Sequence, residues 1–149
     1  MITLPILKRT AEDGLRWLRR QKDVEEAEVF VASNASLTAR LNYTSHIPCN
    51  GVEEPKSSES YGIGVRAVFG NGKSPCIGLG SEAGDLSLNG VKTALGKARR
   101  SAVSDPEFTT LPRPSTERRA LAKYHDSAAM DLKDADLVRR LGDDPRRAA

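Results

Sequence analysis

Two histidines and two cysteines are the residues of this 149-residue chain whose types most readily do chemistry. A metal site on one helix needs two histidines about one turn apart, because only then do both side chains project from the same face. His46 and His125 are far apart in the chain, and neither is followed by a glutamate. Cys49 and Cys76 match no spacing typical of a metal or redox site. We therefore predict no catalytic, cofactor-binding or metal-binding residue in this chain.

A glycine pattern is the other feature that could do chemistry, by cradling a phosphate. Gly62 and Gly64 lie in the alternating segment SYGIGVRAVF, whereas a phosphate loop needs its glycines in a turn that leads directly into a helix. Gly78 and Gly80 lie nearer to a predicted helix, but Gly84 comes one residue too late for the dinucleotide fingerprint. The spacing therefore argues against a nucleotide site.

Glycine inside a strand often marks a place where another backbone approaches closely. Pairing the two glycine-bearing arms about a turn at residues 70–73 makes Gly62, Gly64, Gly78 and Gly80 near neighbours, and predicts a patch almost free of side chains. Either a helix of the same domain packs there, or the patch is a docking site for an extended peptide or a second domain. Spacing alone leaves both interpretations open.

The elements that position this patch are predicted from periodicity. Apolar residues three and four apart predict a first helix over residues 5–22. The segments 26–33 and 37–44 predict two strands, and the short polar link between them favours a hairpin. Residues 45–60 predict a loop with one irregular edge strand near 51–58.

The second half of the chain predicts a strand from Tyr61, a returning strand PCIGLGS, and an amphipathic helix that begins near Leu88 and is capped by Ser87 or Asp85. An extended connector over 103–118 and a short helix ending at Gly142 follow. The predicted fold class is α+β: an antiparallel sheet of four or five strands, two helices on the same face, and a short C-terminal helix.

Composition limits the classes of partner. There is no apolar run long enough to cross a membrane, and the N-terminus lacks a cleavable secretion signal, so we expect a cytoplasmic protein with no membrane partner. The net charge is +3, and aromatic residues make up only 5% without alternating with basic ones. A base-stacking surface needs that alternation, so we do not expect nucleic-acid binding.

The order of these segments resembles the N-terminal domain of the TldD/PmbA family, from roughly Leu7 to Leu141. The resemblance is carried by AEVFVA, SSESYGIGVRAVFGNGK, GLGSEAGDLS and SDPEFTTLP, of which SSESYGIGVR and SDPEF are the most specific. Proteins of that family have been called modulators of DNA gyrase and are understood as metal-dependent peptidases.

The resemblance implies a substrate-framing and assembly domain that is inactive by itself. In the family, catalysis belongs to a C-terminal domain in which an H-E-x-x-x-H helix holds a metal such as zinc. We expect residues 1–104 to form the core domain and 105–149 to lead toward that absent domain. The implied partners are the C-terminal domain, unfolded peptide substrates, and a family member in a homodimer or heterodimer. The alternative is a non-enzymatic binding or regulatory module that pairs with a full-length family member.

Overall fold

A computed structural model of the chain describes residues 2–42, 51–52, 56–70, 75–113 and 126–142. The helices are α1 (Leu4–Leu18), α2 (Leu88–Ser101), α3 (Ser127–Met130) and α4 (Asp134–Gly142). The strands are β1 (Val24–Thr38), β2 (Leu41–Asn42), β3 (Gly51–Val52), β4 (Lys56–Phe69), β5 (Cys76–Ala83) and β6 (Val103–Ser104). None of the helices in these ranges is both long and apolar enough to cross a membrane.

The chain forms two compact units. The first contains Met1–Asn34 and Glu59–Pro114, and the second contains Ala35–Ser58 and Ser115–Ala149. The domain boundary that the sequence predicted after residue 104 stays a prediction.

In the first unit, an antiparallel sheet in the order β1-β4-β5-β6 carries both long helices on one face, so the predicted α+β class is confirmed. Leu18 of α1 and Leu95 of α2 are fully buried against Val65 of β4. The predicted stripes of both helices provide this core, because residues three and four apart share one side of a helix. Trp17 and Phe69 pack at its margin.

Helix α1 ends four residues earlier than the sequence predicted. The N–H of Arg20 donates to the carbonyl of Trp17 (3.1 Å), and the N–H of Gln21 donates to that of Leu18 (2.9 Å). These tighter bonds close the last turn and use the carbonyls that a longer helix would need. The Gln21 side chain also donates to the Trp17 carbonyl, at 3.1 Å.

The predicted hairpin at residues 33–36 is wrong, because these residues lie inside β1, which runs unbroken to Thr38. Their polarity did not break the strand. Its partner β4 begins with the equally polar segment KSSES, and the hydroxyls of Ser36 and Ser58 lie 2.8 Å apart. Two polar segments that pair with each other satisfy their own hydrogen bonds, and a turn is not required.

The irregular edge strand predicted near 51–58 is two elements. Gly51–Val52 is β3, which pairs antiparallel with β2 in a separate two-stranded sheet, while residues from Lys56 onward belong to β4. In the second unit, α4 contacts β3 and ends at Gly142 as predicted. The tip of the predicted turn, residues 71–73, and Tyr43 and Thr44 of the second predicted strand lie outside the described residues.

Helix α2 has the predicted N-terminal cap. The hydroxyl of Ser87 accepts a hydrogen bond from the N–H of Asn89 (3.1 Å), while the carboxylate of Asp85 accepts one from the N–H of Ser87 (2.8 Å). Ser87 is therefore the cap, and Asp85 orients it. The side chain of Ser87, and after it the N–H of Ser87, lower the pKa of Asp85 by hydrogen bonding to its charged form.

Candidate docking surface

The strand pairing divides the four glycines between the two faces of the sheet. Gly80 lies opposite Val65, and Gly78 lies opposite Ala67. Directly opposed residues of an antiparallel pair project to the same face, and Val65 and Ala67 belong to the helix-side core. Gly62 and Gly64 alternate with those core residues along β4 and so project to the other face. The single bare patch that the sequence predicted is therefore two separate surfaces.

Gly78 and Gly80 are filled by the backbone of α2. A methyl group on Gly78 would lie 1.9 Å from the carbonyl oxygen of Ala98, and one on Gly80 would lie 2.1 Å from that of Ala94. No side chain fits in so small a gap, so these glycines let the helix approach the sheet closely. At this pair, the helix of the same unit occupies the glycine surface.

Gly62 and Gly64 lie on the face that carries neither α1 nor α2, which we call the open face. A methyl group on Gly64 would lie 3.7 Å from the Cβ of Phe30, an ordinary contact distance. The guanidinium of Arg66 donates to the carboxylate of Glu28 through Nε at 2.9 Å. From Gly64 to Arg66 the residue number rises along β4, while from Phe30 to Glu28 it falls along β1, as in an antiparallel pair. Glu28 and Phe30 therefore also project onto the open face.

The open face is more apolar than a solvated sheet face usually is. Phe30 is 72% exposed, and Leu79 of β5 and Val103 of β6 are each 67% exposed. The solvated face of an antiparallel sheet normally alternates in polar residues, while clustered exposed apolar side chains mark surfaces that bind other molecules. This face is therefore the candidate docking surface of the described residues.

One end of the open face is covered by the chain itself. The carboxylate of Glu26 accepts hydrogen bonds from the N–H of Leu111 (2.7 Å) and the hydroxyl of Thr110 (2.8 Å). The bond from Leu111, followed by that from Thr110, lowers the pKa of Glu26, because both favour the carboxylate. Leu111 is buried there, so the segment after β6 acts as a strap across the start of β1.

Two shallow hollows flank Phe30 on the part of the open face that remains uncovered. One, of 330 Å³, has Ala32, Gly62 and Ala83 among its lining residues. The other, of 710 Å³, reaches from the Glu28–Arg66 ion pair past Leu79 to the end of α2. Phe30 lines both hollows, and the larger of the two is bordered by the Glu28–Arg66 ion pair.

The candidate residues for chemistry are not assembled into a site in the described part of the chain. His46, His125 and Cys49 lie outside it, and Cys76 is half-buried at the start of β5. In the same ranges, no three His, Cys, Asp or Glu side chains come close enough together to hold a metal ion.

Sequence reasoning missed Phe30 as part of this surface. In the strand EAEVFVAS, Ala27, Val29 and Val31 pack against the helix-side core and occupy one phase of the alternation. Phe30 falls in the opposite phase, between Glu28 and Ala32. A single large aromatic residue that alternates with the core residues of its strand is the sequence signal that could have identified Phe30 as part of this surface.

Comparison of the chain with protein-family models, curated proteins and solved structures gives no significant match to any of them.

Proposed function

We propose that this chain is the substrate-framing and assembly domain of a TldD/PmbA-type metal-dependent peptidase and is not catalytic by itself. Two independent arguments support the proposal. The sequence segments resemble the N-terminal domain of that family over most of the chain. The sheet has an apolar open face, with Phe30 and Leu79 exposed, of the kind that a second domain covers. The open face is the observation on which the proposal mainly depends.

A sheet face and a sheet edge bind in different ways. Backbone N–H and C=O groups lie in the plane of the sheet, so only an edge can add a strand through hydrogen bonds. A partner on the open face must therefore bind by packing its side chains around Phe30 and into the two hollows. This mode suits a folded domain or the apolar side chains of an unfolded substrate, and Gly62 and Gly64 stay in the proposal as the floor of the surface.

The charge on this face agrees with binding that tolerates varied sequences. Glu28 and Arg66 neutralise each other, so the centre of the face carries little net charge. A partner is then selected by apolar area, which is roughly proportional to the stabilisation gained on burial. Selection of that kind is what a domain that frames many unfolded peptides requires.

The experiment measures the binding of a fluorescently labelled, permanently unfolded polypeptide by anisotropy. Burial of one large apolar side chain contributes about 1.5–3 kcal/mol, so we expect Phe30→Ser to weaken binding by about 10–100-fold. Leu4→Ser is the matched control, because Leu4 is 76% exposed but lies on α1, away from the open face. Absence of binding by the unmodified chain, or an equal loss in both variants, would contradict the proposal.

A further inference from the structure

A hollow of 520 Å³ lies between α1 and the first turn of α2, on the helix side of the sheet. Trp17 and the buried Val91 belong to its lining, together with Ile6 and Leu88, which are 49% and 42% exposed. Its lining residues from α1 and the turn after it run from Ile6 to Arg20, which is about 21 Å at the rise of a helix. The hollow, which we call the interhelical groove, is therefore long enough for about four turns of another helix.

The interhelical groove is already formed in the chain by itself. The hydroxyl of Thr10 on α1 donates to the carbonyl oxygen of Leu86, just before α2, at 3.1 Å. A methyl group on Gly14 would lie 3.0 Å from Cγ2 of Val91, so the two helices pack closely at the base of the groove. A partner does not have to open this surface, and preformed surfaces bind at lower cost.

Positive charge exceeds negative charge along the groove. Arg9 and Arg16 share one carboxylate, that of Asp13, with nitrogen–oxygen distances of 3.6 and 2.7 Å. Among the described residues, Arg20 has no ion-pair partner. Three guanidinium groups and a single carboxylate therefore line the groove.

The same excess extends over both long helices and the turns next to them, residues 4–23 and 85–101. These residues include ten Lys or Arg and four Asp or Glu, a net charge of +6, whereas the whole chain has +3. The positive charge of the protein is thus concentrated on the side that carries the groove. Such a surface favours acidic partners and disfavours basic ones.

The apolar lining favours a polypeptide over a nucleic acid as the acidic partner. Nucleic acids bind mainly through phosphates, which pair with cations and gain little from apolar side chains. Trp17 is the only aromatic residue that lines the groove, and the Lys92 ammonium lies 5.9 Å from the centre of its ring, so there is no platform for successive bases. An amphipathic helix, by contrast, presents an apolar stripe with charges on both sides.

We infer that the interhelical groove is a docking site for an acidic amphipathic helix of another protein. The apolar stripe of that helix packs on Ile6, Trp17 and Leu88, and its carboxylates pair with Arg16 and Arg20. This inference is independent of the proposed function, which concerns the open face on the other side of the sheet.

The first test measures, by anisotropy, the binding of a fluorescein-labelled helical peptide of about four turns, with leucines on one face and glutamates on the other. We expect Arg20→Glu to weaken binding about fivefold, the effect of one exposed ion pair. Arg100→Glu is the control, because it changes the charge equally but lies about 18 Å along α2 from Leu88, more than twice the Debye length of about 8 Å. No binding, an equal loss in both variants, or equal binding of a peptide with lysines in place of the glutamates would overturn the inference.

The second test measures the binding of the same peptide to Leu88→Ser. Leu88 is the first residue of α2 and is partly exposed, so we expect this variant to fold and to bind about 3–10-fold more weakly, since less apolar area is buried. Leu79→Ser is the control: Leu79 is 67% exposed but lies on the open face, and its replacement should leave binding of this peptide unchanged. Unchanged binding to Leu88→Ser, or displacement of the peptide by an equal concentration of duplex DNA, would overturn the inference.

Discussion

The space available for an added methyl group differs between Gly80 of β5 and Gly64 of β4. On Gly80 the methyl group would lie 2.1 Å from the Ala94 carbonyl oxygen and 2.5 Å from the Ala98 nitrogen, and neither backbone atom can move without shifting α2. Gly80→Ala should therefore lower the free energy of unfolding by about 1–3 kcal/mol, the range of overpacked sites. Urea denaturation measures the difference.

Gly64→Ala is the matched control for this prediction. The methyl group has room beside Phe30, and alanine in a strand is about 0.5–1 kcal/mol more stable than glycine. We expect an unchanged or slightly higher free energy of unfolding. A Gly64→Ala variant as unstable as Gly80→Ala would mean that the two glycines do not differ as the structure indicates.

Between elements, one ion pair joins the turn after α1 to the last turns of α2. The Arg99 guanidinium donates twice to the Asp23 carboxylate, at 2.7 and 2.9 Å. The hydrogen bond from Arg99 is the main cause that lowers the pKa of Asp23 below its usual 3.8, and the same bond raises the pKa of Arg99. The pair holds together two segments that are distant in sequence.

Acid should remove the contribution of this pair. Because the pKa of Asp23 is lower in the folded state, its stabilisation is complete above 3.8 and is lost as the pH falls through the lowered value. Asp23→Asn should lower the free energy of unfolding by about 0.2–1 kcal/mol at neutral pH, as for exposed ion pairs. The difference from the unmodified chain should shrink as the pH falls below 3.8, as measured by urea denaturation across pH.

The outcome that would contradict this reasoning is a gap between the two proteins that persists unchanged in acid. Glu26 and Asp85 also have lowered pKa values, so both proteins should lose stability in acid for those reasons. Only the difference between them reports on Asp23.

At the scale of the whole molecule, we expect the chain to bind peptides without cleaving them. The purified chain, supplied with zinc, should not cleave an unstructured peptide, because the resemblance places the metal-binding helix in another domain. Peptide cleavage is followed by mass spectrometry, with a chelator as control. Cleavage that the chelator abolishes would show that this chain carries a catalytic site of its own.

Periodicity by itself determined the apolar stripes of the helices, the glycine-bearing strands and the α+β class. A buried helix face or a half-buried strand is visible in the spacing of apolar residues that lie close together in the sequence. Periodicity also restricted the candidate surface to Gly62, Gly64, Gly78 and Gly80. It could not assign a face of the sheet to each glycine. Alternation shows which residues of one strand share a face, but whether residues of two strands share a face depends on the register in which the strands pair.

Only the tertiary structure decided which glycines α2 covers, that Ser33 to Ser36 continue a strand, and that the Ser101 hydroxyl bonds to the backbone of Leu79. Each of these depends on a contact between residues that lie far apart in the sequence, such as Ser36 with Ser58. Hydrogen bonds across that distance satisfy polar groups that a local pattern would assign to a turn or to water. Local periodicity carries no information about such distant partners.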